Sequence, residues 1–445
     1  MQIIKETINH ATQIVHQAWT HFHDDSMFRN SFYIILSTGI ISVSGFLFWF
    51  FAARLYSSAE VGIAGTIISA CSFIVSIGSL GISNAFIRYI PPAKDKSEII
   101  NSGITLVTIS TLIIAVVYLF LLPIFSPKLT IFTQQPFSIL LFILLTVFAG
   151  VSSLIDSIFI AYRSAHFNMT TYGLFGTIKI IGVLSLIMLG TNGLLLAHTT
   201  GLLLSVFIGF YLMGKYLGIN FGFNFNFNNI KKMFTFSSIT YVTALIGGIP
   251  SFVLPIIILR SLDASSVAYF YMTMMIATLI FTIPNSITSS LFAEGSHSSE
   301  GIALHFKKAT IFIALSLFLV NTAVVFFGRQ MLSFLGSSYS SQGYMSLVLL
   351  SLSSIFLAIN SIFSTALKIQ RRLNGYLIIN FFGALIIILV SYLNVKRGLT
   401  YVSLGWLVGQ IFMSVCFFGD YLFAGKNSEK QPPKVIKKRV VRLLN

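Results

Sequence analysis

Residues 52–92 read AARLYSSAEVGIAGTIISACSFIVSIGSLGISNAFIRYIPP. An apolar run of about 27 residues lies between Arg54 and Arg88. At ~1.5 Å of rise per residue, the 34 positions from one arginine to the other span ~50 Å as a single helix. A hydrocarbon core is ~30 Å thick, so the two charges reach opposite faces of a bilayer. A weaker echo of the stretch recurs near Arg260. The stretch predicts an all-α polytopic membrane protein made of two related halves.

Composition points the same way. The 445 residues are 56% hydrophobic and only 9% charged, with mean hydropathy +0.88. Soluble domains carry ~25% charged residues, so this chain lacks the polar surface to face water. The net charge of +16 invites a nucleic-acid reading, but the Lys and Arg fall between apolar runs, where membrane orientation explains them. No nucleic acid is therefore expected. Cys71 and Cys416 both lie inside apolar runs, which predicts neither a disulfide framework nor a metal site. The first 28 residues hold Lys5, Glu6, four histidines and Asp24–Asp25 without an apolar signal-peptide core. Ile4, Ile8, Ala11, Val15, Ala18 and Phe22 share one helical face there, as in a helix lying on a membrane surface or an ordinary solvated one.

Runs long enough to span a membrane fall at about 31–53, 61–87, 101–125, 137–161, 170–190 and 193–214. A second six fall at about 233–259, 265–291, 307–327, 343–367, 374–393 and 400–423. The expected organisation is a cytoplasmic N-terminal segment (1–30), a six-helix bundle (31–214) and a linking loop (215–232). A second six-helix bundle (233–423) and a basic tail (424–445) complete it. The loop carries FGFNFNFNNIKK, whose Phe/Asn alternation fits an interfacial aromatic linker or a short strand. With the N-terminus inside, 21 Lys and Arg lie on the cytoplasmic side and six on the outer side, so both termini are placed in the cytoplasm.

The halves align in two places. A shift of 206 sets Arg54 on Arg260 and Val61 on Val267; a shift of 204 sets Asp156-Ser-Ile-Phe on Asn360-Ser-Ile-Phe. Six helices per half return the chain to the same side, as a parallel repeat requires.

No catalytic residues, cofactor or metal are expected. The outer loops are short and poor in acids, and no His/Cys/Asp/Glu cluster has ligand spacing. Gly209–Tyr216 nearly matches a phosphate-binding loop, but Tyr216 stands where Ser or Thr is required, at the end of a membrane helix. The sequon at Asn168 falls on the cytoplasmic side. Intramembrane polar groups are expensive and so become the functional candidates. Lys179 is the deepest cation and Asp156 lies on the preceding helix. Two arrangements fit: a buried Asp156–Lys179 pair, or Lys179 reaching toward the surface while Asp156 caps against Arg163. His198 is either a packing residue or a proton relay. Arg54, Arg88 and Arg260 stand at helix ends, as interfacial anchors or as binders of an anionic headgroup. Pro250, Pro255 and Pro284 interrupt the seventh and eighth helices as hinges or as static kinks. Gly201, Ser205 and Gly209 form a small-residue seam for close helix contact.

The carrying words are Arg29-Asn30-Ser31 before the first helix, Ala53-Arg54-Leu55-Tyr56-Ser57 and Glu60-Val61-Gly62. They continue with Gly78-Ser-Leu-Gly81, Ile87-Arg88-Tyr89-Ile90-Pro91, and Lys231-Lys232-Met-Phe-Thr-Phe-Ser237. With these the chain resembles the polysaccharide-biosynthesis flippases of the multidrug/oligosaccharidyl-lipid/polysaccharide (MOP) exporter superfamily. The resemblance implies two MATE-like six-helix bundles around a central cavity open to one side at a time. It implies a transporter rather than an enzyme, moving a polyprenyl-diphosphate-linked oligosaccharide or repeat unit across the cytoplasmic membrane. Its partners are then the lipid-linked substrate, membrane lipids and other polysaccharide-assembly proteins. Lys179, Arg54, Arg88 and Arg260 become candidate substrate-binding residues, and Asp156 and His198 candidate ion-coupling residues. A cation-coupled drug exporter of the superfamily is the alternative, and predicts acids deep in the first or seventh helix, which both lack. A membrane glycosyl polymerase or ligase predicts a large acidic outer loop, also missing.

Overall fold

The structure, a computed structural model, describes residues 26–130, 134–222, 227–297, 302–369 and 372–427. The candidate surface helix of the first 25 residues, the Phe/Asn alternation at 223–226 and the basic tail from residue 428 lie outside them. Thirteen α-helices follow in order: α1 (Ser26–Leu55), α2 (Ser58–Gly78), α3 (Ile82–Tyr89), α4 (Lys96–Phe125), α5 (Pro136–Ala161), α6 (His166–Ser185) and α7 (Gly190–Leu217). The second series is α8 (Phe227–Ser261), α9 (Ala264–His297), α10 (Ile302–Ser333), α11 (Ser337–Ile369), α12 (Leu373–Asn394) and α13 (Leu399–Asn427). A lipid-embedded backbone must satisfy its own hydrogen bonds, and continuous helices do so within each segment. Eleven of the twelve predicted spans each fall on one helix, mostly lengthened at the ends, while the second, 61–87, is divided between α2 and α3. Among the described residues the chain is an all-α, multi-pass membrane protein.

The opening stretch needs a correction, because Arg54 and Arg88 are not joined by one helix. Arg54 sits in the last turn of α1. At the start of α2, the Ser57 amide donates to the Glu60 carboxylate (2.8 Å) and the Glu60 amide to Ser57 Oγ (3.3 Å). That reciprocal pair is a capping box, which fixes a new helix start. Its counterpart in the second half is Asp263, whose Oδ1 accepts the Ser266 amide at 2.8 Å at the start of α9. Ser57 and Asp263 are themselves related by the shift of 206. The 21 residues of α2 cover ~31 Å, enough to cross the hydrocarbon without α3. The helix then stops at Ser79-Leu80-Gly81, where Leu80 (φ 50°) and Gly81 (φ 73°) take the left-handed conformation and α3 starts afresh. A second, smaller difference is that Arg29-Asn30-Ser31 lie within α1 rather than before it.

The chain divides into two compact units. The first holds α1, the end of α2 from Ile74, α3, α4 to Leu122, and the chain from Ile131 through α7 to Tyr241. Its apolar core gathers Phe86 of α3 and Ile90 just after it, Ile100 and Val107 of α4, Leu154 and Ile158 of α5, and Val206 and Met213 of α7. The predicted small-residue seam works inside it: Ser205 Oγ donates to the Thr171 carbonyl at 3.0 Å, and a Cβ on Gly209 would stand 2.9 Å from Ile155. The second unit holds Tyr56–Phe73, Pro123–Thr130 and the chain from Val242 onward. Here α11 packs on α9, α12 and α13 as well as α10, with a buried Asn321–Ser351–Ser354 hydrogen-bonded group between α10 and α11. Large apolar side chains point away from both cores, as lipid contact demands: Phe120 of α4 is 79% exposed and Phe326 of α10 71%.

Candidate functional site

Polar residues gather on α6. Among the described residues, eleven helices are long and apolar enough to cross a membrane. The remaining long helix is α6, whose Asn168, Tyr172 and Lys179 lower its hydropathy. Two close approaches build a site around it. A Cβ on Gly176 would stand 2.6 Å from Ser44 Cβ of α1, and one on Gly201 of α7 would stand 3.0 Å from the Phe175 carbonyl. With glycine at both places, α1 and α7 press onto α6 and carry Phe48 and His198 to Lys179.

Lys179 is 3% exposed. Its Nζ lies 4.3 Å from the Phe175 ring centre and 5.9 Å from that of Phe48. His198 meets the same two rings edge-on, at 5.1 and 5.7 Å between centroids. Its Nδ1 is buried without a hydrogen-bond partner. Among the described residues neither a carboxylate nor another acceptor meets the Lys179 ammonium. A desolvated cation–π contact contributes about 2 kcal/mol. Removing an ammonium from water costs several kcal/mol, so the rings hold a cation that they do not neutralise. An anionic oxygen is the chemistry that completes this site.

The Asp156–Lys179 pair is not formed, and neither is the capping of Asp156 against Arg163. Asp156 accepts the Tyr172 hydroxyl at 2.6 Å, and Asn168 Nδ2 reaches the Asp156 carbonyl at 3.4 Å. The reason lies in the register of an antiparallel pair. Asp156 and Tyr172 are each eight residues from Ser164, in the centre of the link between α5 and α6, so they face one another. Lys179 is fifteen residues from Ser164, beyond where the two helices touch, and there α6 packs on α1 and α7. Membrane depth predicts proximity along one axis only, and depth was the signal that the sequence offered.

The arginines have other partners. Arg54, exposed at the end of α1, lies 5.9 Å from the Phe50 ring centre, and Arg88 of α3 lies 5.9 Å from that of Tyr89. Arg260 Nη1 donates to the Ile124 carbonyl at 3.3 Å. None of these three partners belongs to the Lys179 group. Pro250 and Pro255 lie inside α8, and Pro284 inside α9, with the helix continuing through each. Sequence reading missed Phe48, Phe175 and Tyr172. Phe175 was accessible as the residue one turn before Lys179; Phe48, from another helix, had no local signal.

The family described as polysaccharide biosynthesis protein matches residues 27–293, more than half of the chain. The chain belongs to that family. The match takes in α1 to most of α9, and with them Asp156, Lys179 and His198. No curated protein matches the chain in sequence. Among solved structures, the fold is similar to the lipid II flippase MurJ in an inward closed conformation. The TM-score is 0.70 at 14% identity, over 93% of this chain and 95% of that one. It is also similar to an inward-facing multidrug resistance MATE family transporter of the MOP superfamily (0.69, 16% identity, 89% and 99% covered). A third is a MOP superfamily transporter from Pyrococcus furiosus Vc1, characterised by the reversed polarity of its binding pocket (0.57, 14%, 91% and 96%). The fold of this family member is therefore that of the MOP transporters.

Proposed function

We propose that this protein is a flippase, not an enzyme. Its cargo is a polyprenyl-diphosphate-linked oligosaccharide or polysaccharide repeat unit, moved across the cytoplasmic membrane by alternating access. The observation that carries the reading is Lys179: a buried cation, flanked by two aromatic rings and met by no carboxylate among the described residues, in a chain of the polysaccharide biosynthesis family. A diphosphate in a low-dielectric site needs such a cation. Arg54, Arg88 and Arg260 are proposed as outlying contacts for the same headgroup. Asp156, with the Tyr172 hydroxyl, and His198, with its unpartnered Nδ1, are the groups proposed to couple transport to an ion gradient. Pro250, Pro255 and Pro284 are proposed hinges, both termini are placed in the cytoplasm, and bundles at 31–214 and 233–423 are the moving parts. Membrane lipids and other polysaccharide-assembly proteins are the expected partners.

The drug-exporter reading is less well supported, because α1 and α8 contain no Asp or Glu. The test is a deletion strain assayed for lipid-linked oligosaccharide on each membrane leaflet. Accumulation on the cytoplasmic leaflet, reversed by the wild-type chain and not by Lys179→Ala, supports the flippase. An unchanged leaflet distribution in the deletion strain rejects it.

A further inference from the structure

The second unit contains a cavity of about 290 Å³ between α8, α9, α11, α12 and α13. Its wall includes Asn285, Asn360, Asn380, Gln410, Tyr376 and Trp406, and no Asp, Glu, Lys, Arg or His. A site without charge holds neither a bare anion nor a bare metal ion well. The hydrogen bonds already made sharpen that. Asn360 Nδ2 donates to Gln410 Oε1 at 2.8 Å, Asn360 Oδ1 accepts Ser414 Oγ at 2.8 Å, and Asn285 Oδ1 accepts Ser361 Oγ at 3.0 Å. Three of the side-chain amide oxygens that would ligate a cation are thus engaged. Asn380 Nδ2 donates to the Tyr376 carbonyl at 2.7 Å, which leaves its Oδ1 for a ligand.

What remains without a partner in the wall is mostly donors. Trp406 Nε1 is buried with no acceptor, on a residue 5% exposed. Gln410 Nε2 and Asn285 Nδ2 likewise meet no acceptor among the described residues. A ligand for this wall therefore offers several oxygens that accept, and at least one hydroxyl that donates to Asn380 Oδ1. The wall also has aromatic faces. Trp406 stacks on Phe281 (centroids 6.3 Å apart, planes 3° apart) and Tyr376 on Phe417 (6.0 Å, 29°), which holds these rings in place as flat apolar surfaces. Fixed amides beside a rigid aromatic floor match a ring that has hydroxyls on its edge and C–H groups on its face. The volume sits at the low end of small-ligand pockets, about 300–1,000 Å³, and admits one ring rather than a chain of them.

We propose that this cavity is a neutral subsite that binds one uncharged sugar ring, independent of the Lys179 group. Binding of the ring rests on the cavity alone; that the ring belongs to a carrier-linked glycan rests on the flippase reading.

The chain has three tryptophans, so Trp19→Phe and Trp49→Phe leave Trp406 as the only indole reporter. This protein, in nanodiscs without glycoside detergent, is titrated with methyl glycosides of neutral hexoses, with glucuronate and with sodium chloride. The expected result is a saturable change in Trp406 emission with at least one neutral glycoside and none with the other two. Losing one hydrogen bond to a hydroxyl weakens binding about tenfold, so Gln410→Leu and Asn380→Leu each shift the titration by that much. Asn380, half-buried at the wall, serves as the second variant should Gln410→Leu misfold. No saturable response, a response to sodium or glucuronate alone, or a sugar response unmoved by both variants overturns the subsite. Carrier-linked oligosaccharide from the deletion strain is then compared with its free glycan: tighter binding of the linked form names the carrier as the source, equal binding a free sugar. If the sugar titration succeeds while the leaflet assay shows no role in flipping, the subsite stands and the flippase reading falls; the reverse pair of results does the opposite.

Discussion

The fourth long helix of each half carries the same word with one letter changed: Asp156-Ser-Ile-Phe in α5 and Asn360-Ser-Ile-Phe in α11. The surroundings diverge with that letter. Asp156 accepts the Tyr172 hydroxyl, in a unit that also holds the buried Lys179 and the half-buried His198. Asn360 donates to Gln410 and accepts from Ser414, in a wall without a charged residue. The shift that relates the two words sets Lys179 on Gly383, so the cation has no counterpart in the second half. A repeated scaffold has been given two chemistries, one for charge and one for neutral hydroxyls. The cargo proposed for this chain has both parts, a diphosphate and a glycan.

The comparison breaks first at Lys179. Losing a buried charge contact to phosphate costs ~3 kcal/mol, so Lys179→Ala should lower export about 100-fold at normal protein level, and Lys179→Arg should recover part of it. Measured surface polysaccharide per unit of protein checks this. The exchanged letters come next. Asn360→Asp removes the donor to Gln410 and leaves a buried carboxylate unpaired, which should destabilise the purified protein by about 3 kcal/mol. Asp156→Asn keeps an acceptor for Tyr172 and should cost about 1 kcal/mol. Thermal unfolding of the two variants in one detergent gives the order, and equal losses would erase the distinction between the halves. Gly176→Val tests how the charged site is assembled. Its side chain must push Ser44 away, an overpacking cost of about 1–3 kcal/mol, and should move Phe48 off Lys179. The smallest effects are expected at Arg54→Ala and Arg88→Ala. Both side chains are exposed at helix ends, so stability should change by less than about 0.5 kcal/mol and export by only a few-fold.

The helices were legible because hydrocarbon thickness imposes one length and one polarity on each span, so the runs from Ser31 to Phe423 could be counted. Two helix starts went unread in the sequence, although Ser57 with Glu60 and Asp263 are the residues whose side chains cap α2 and α9. The stop at Ser79-Leu80-Gly81 was hidden, since its flanks are apolar on both sides and Leu80 gives no sign of a positive φ. At the candidate site, Lys179, Asp156 and His198 could be picked out as costly residues in a membrane, but their pairing could not. That depended on the α5–α6 register, which sets Asp156 against Tyr172, and on Gly176 and Gly201, which admit α1 and α7. The neutral cavity left no trace for a related reason. Asn285, Asn360, Asn380 and Gln410 come from four helices, and single amides in apolar runs carry no shared spacing.

The most direct test of the account is the leaflet distribution of lipid-linked oligosaccharide in cells that produce Lys179→Ala at the wild-type level. The account predicts accumulation on the cytoplasmic leaflet and loss of surface polysaccharide, matching the deletion strain. A wild-type distribution in that variant would contradict it.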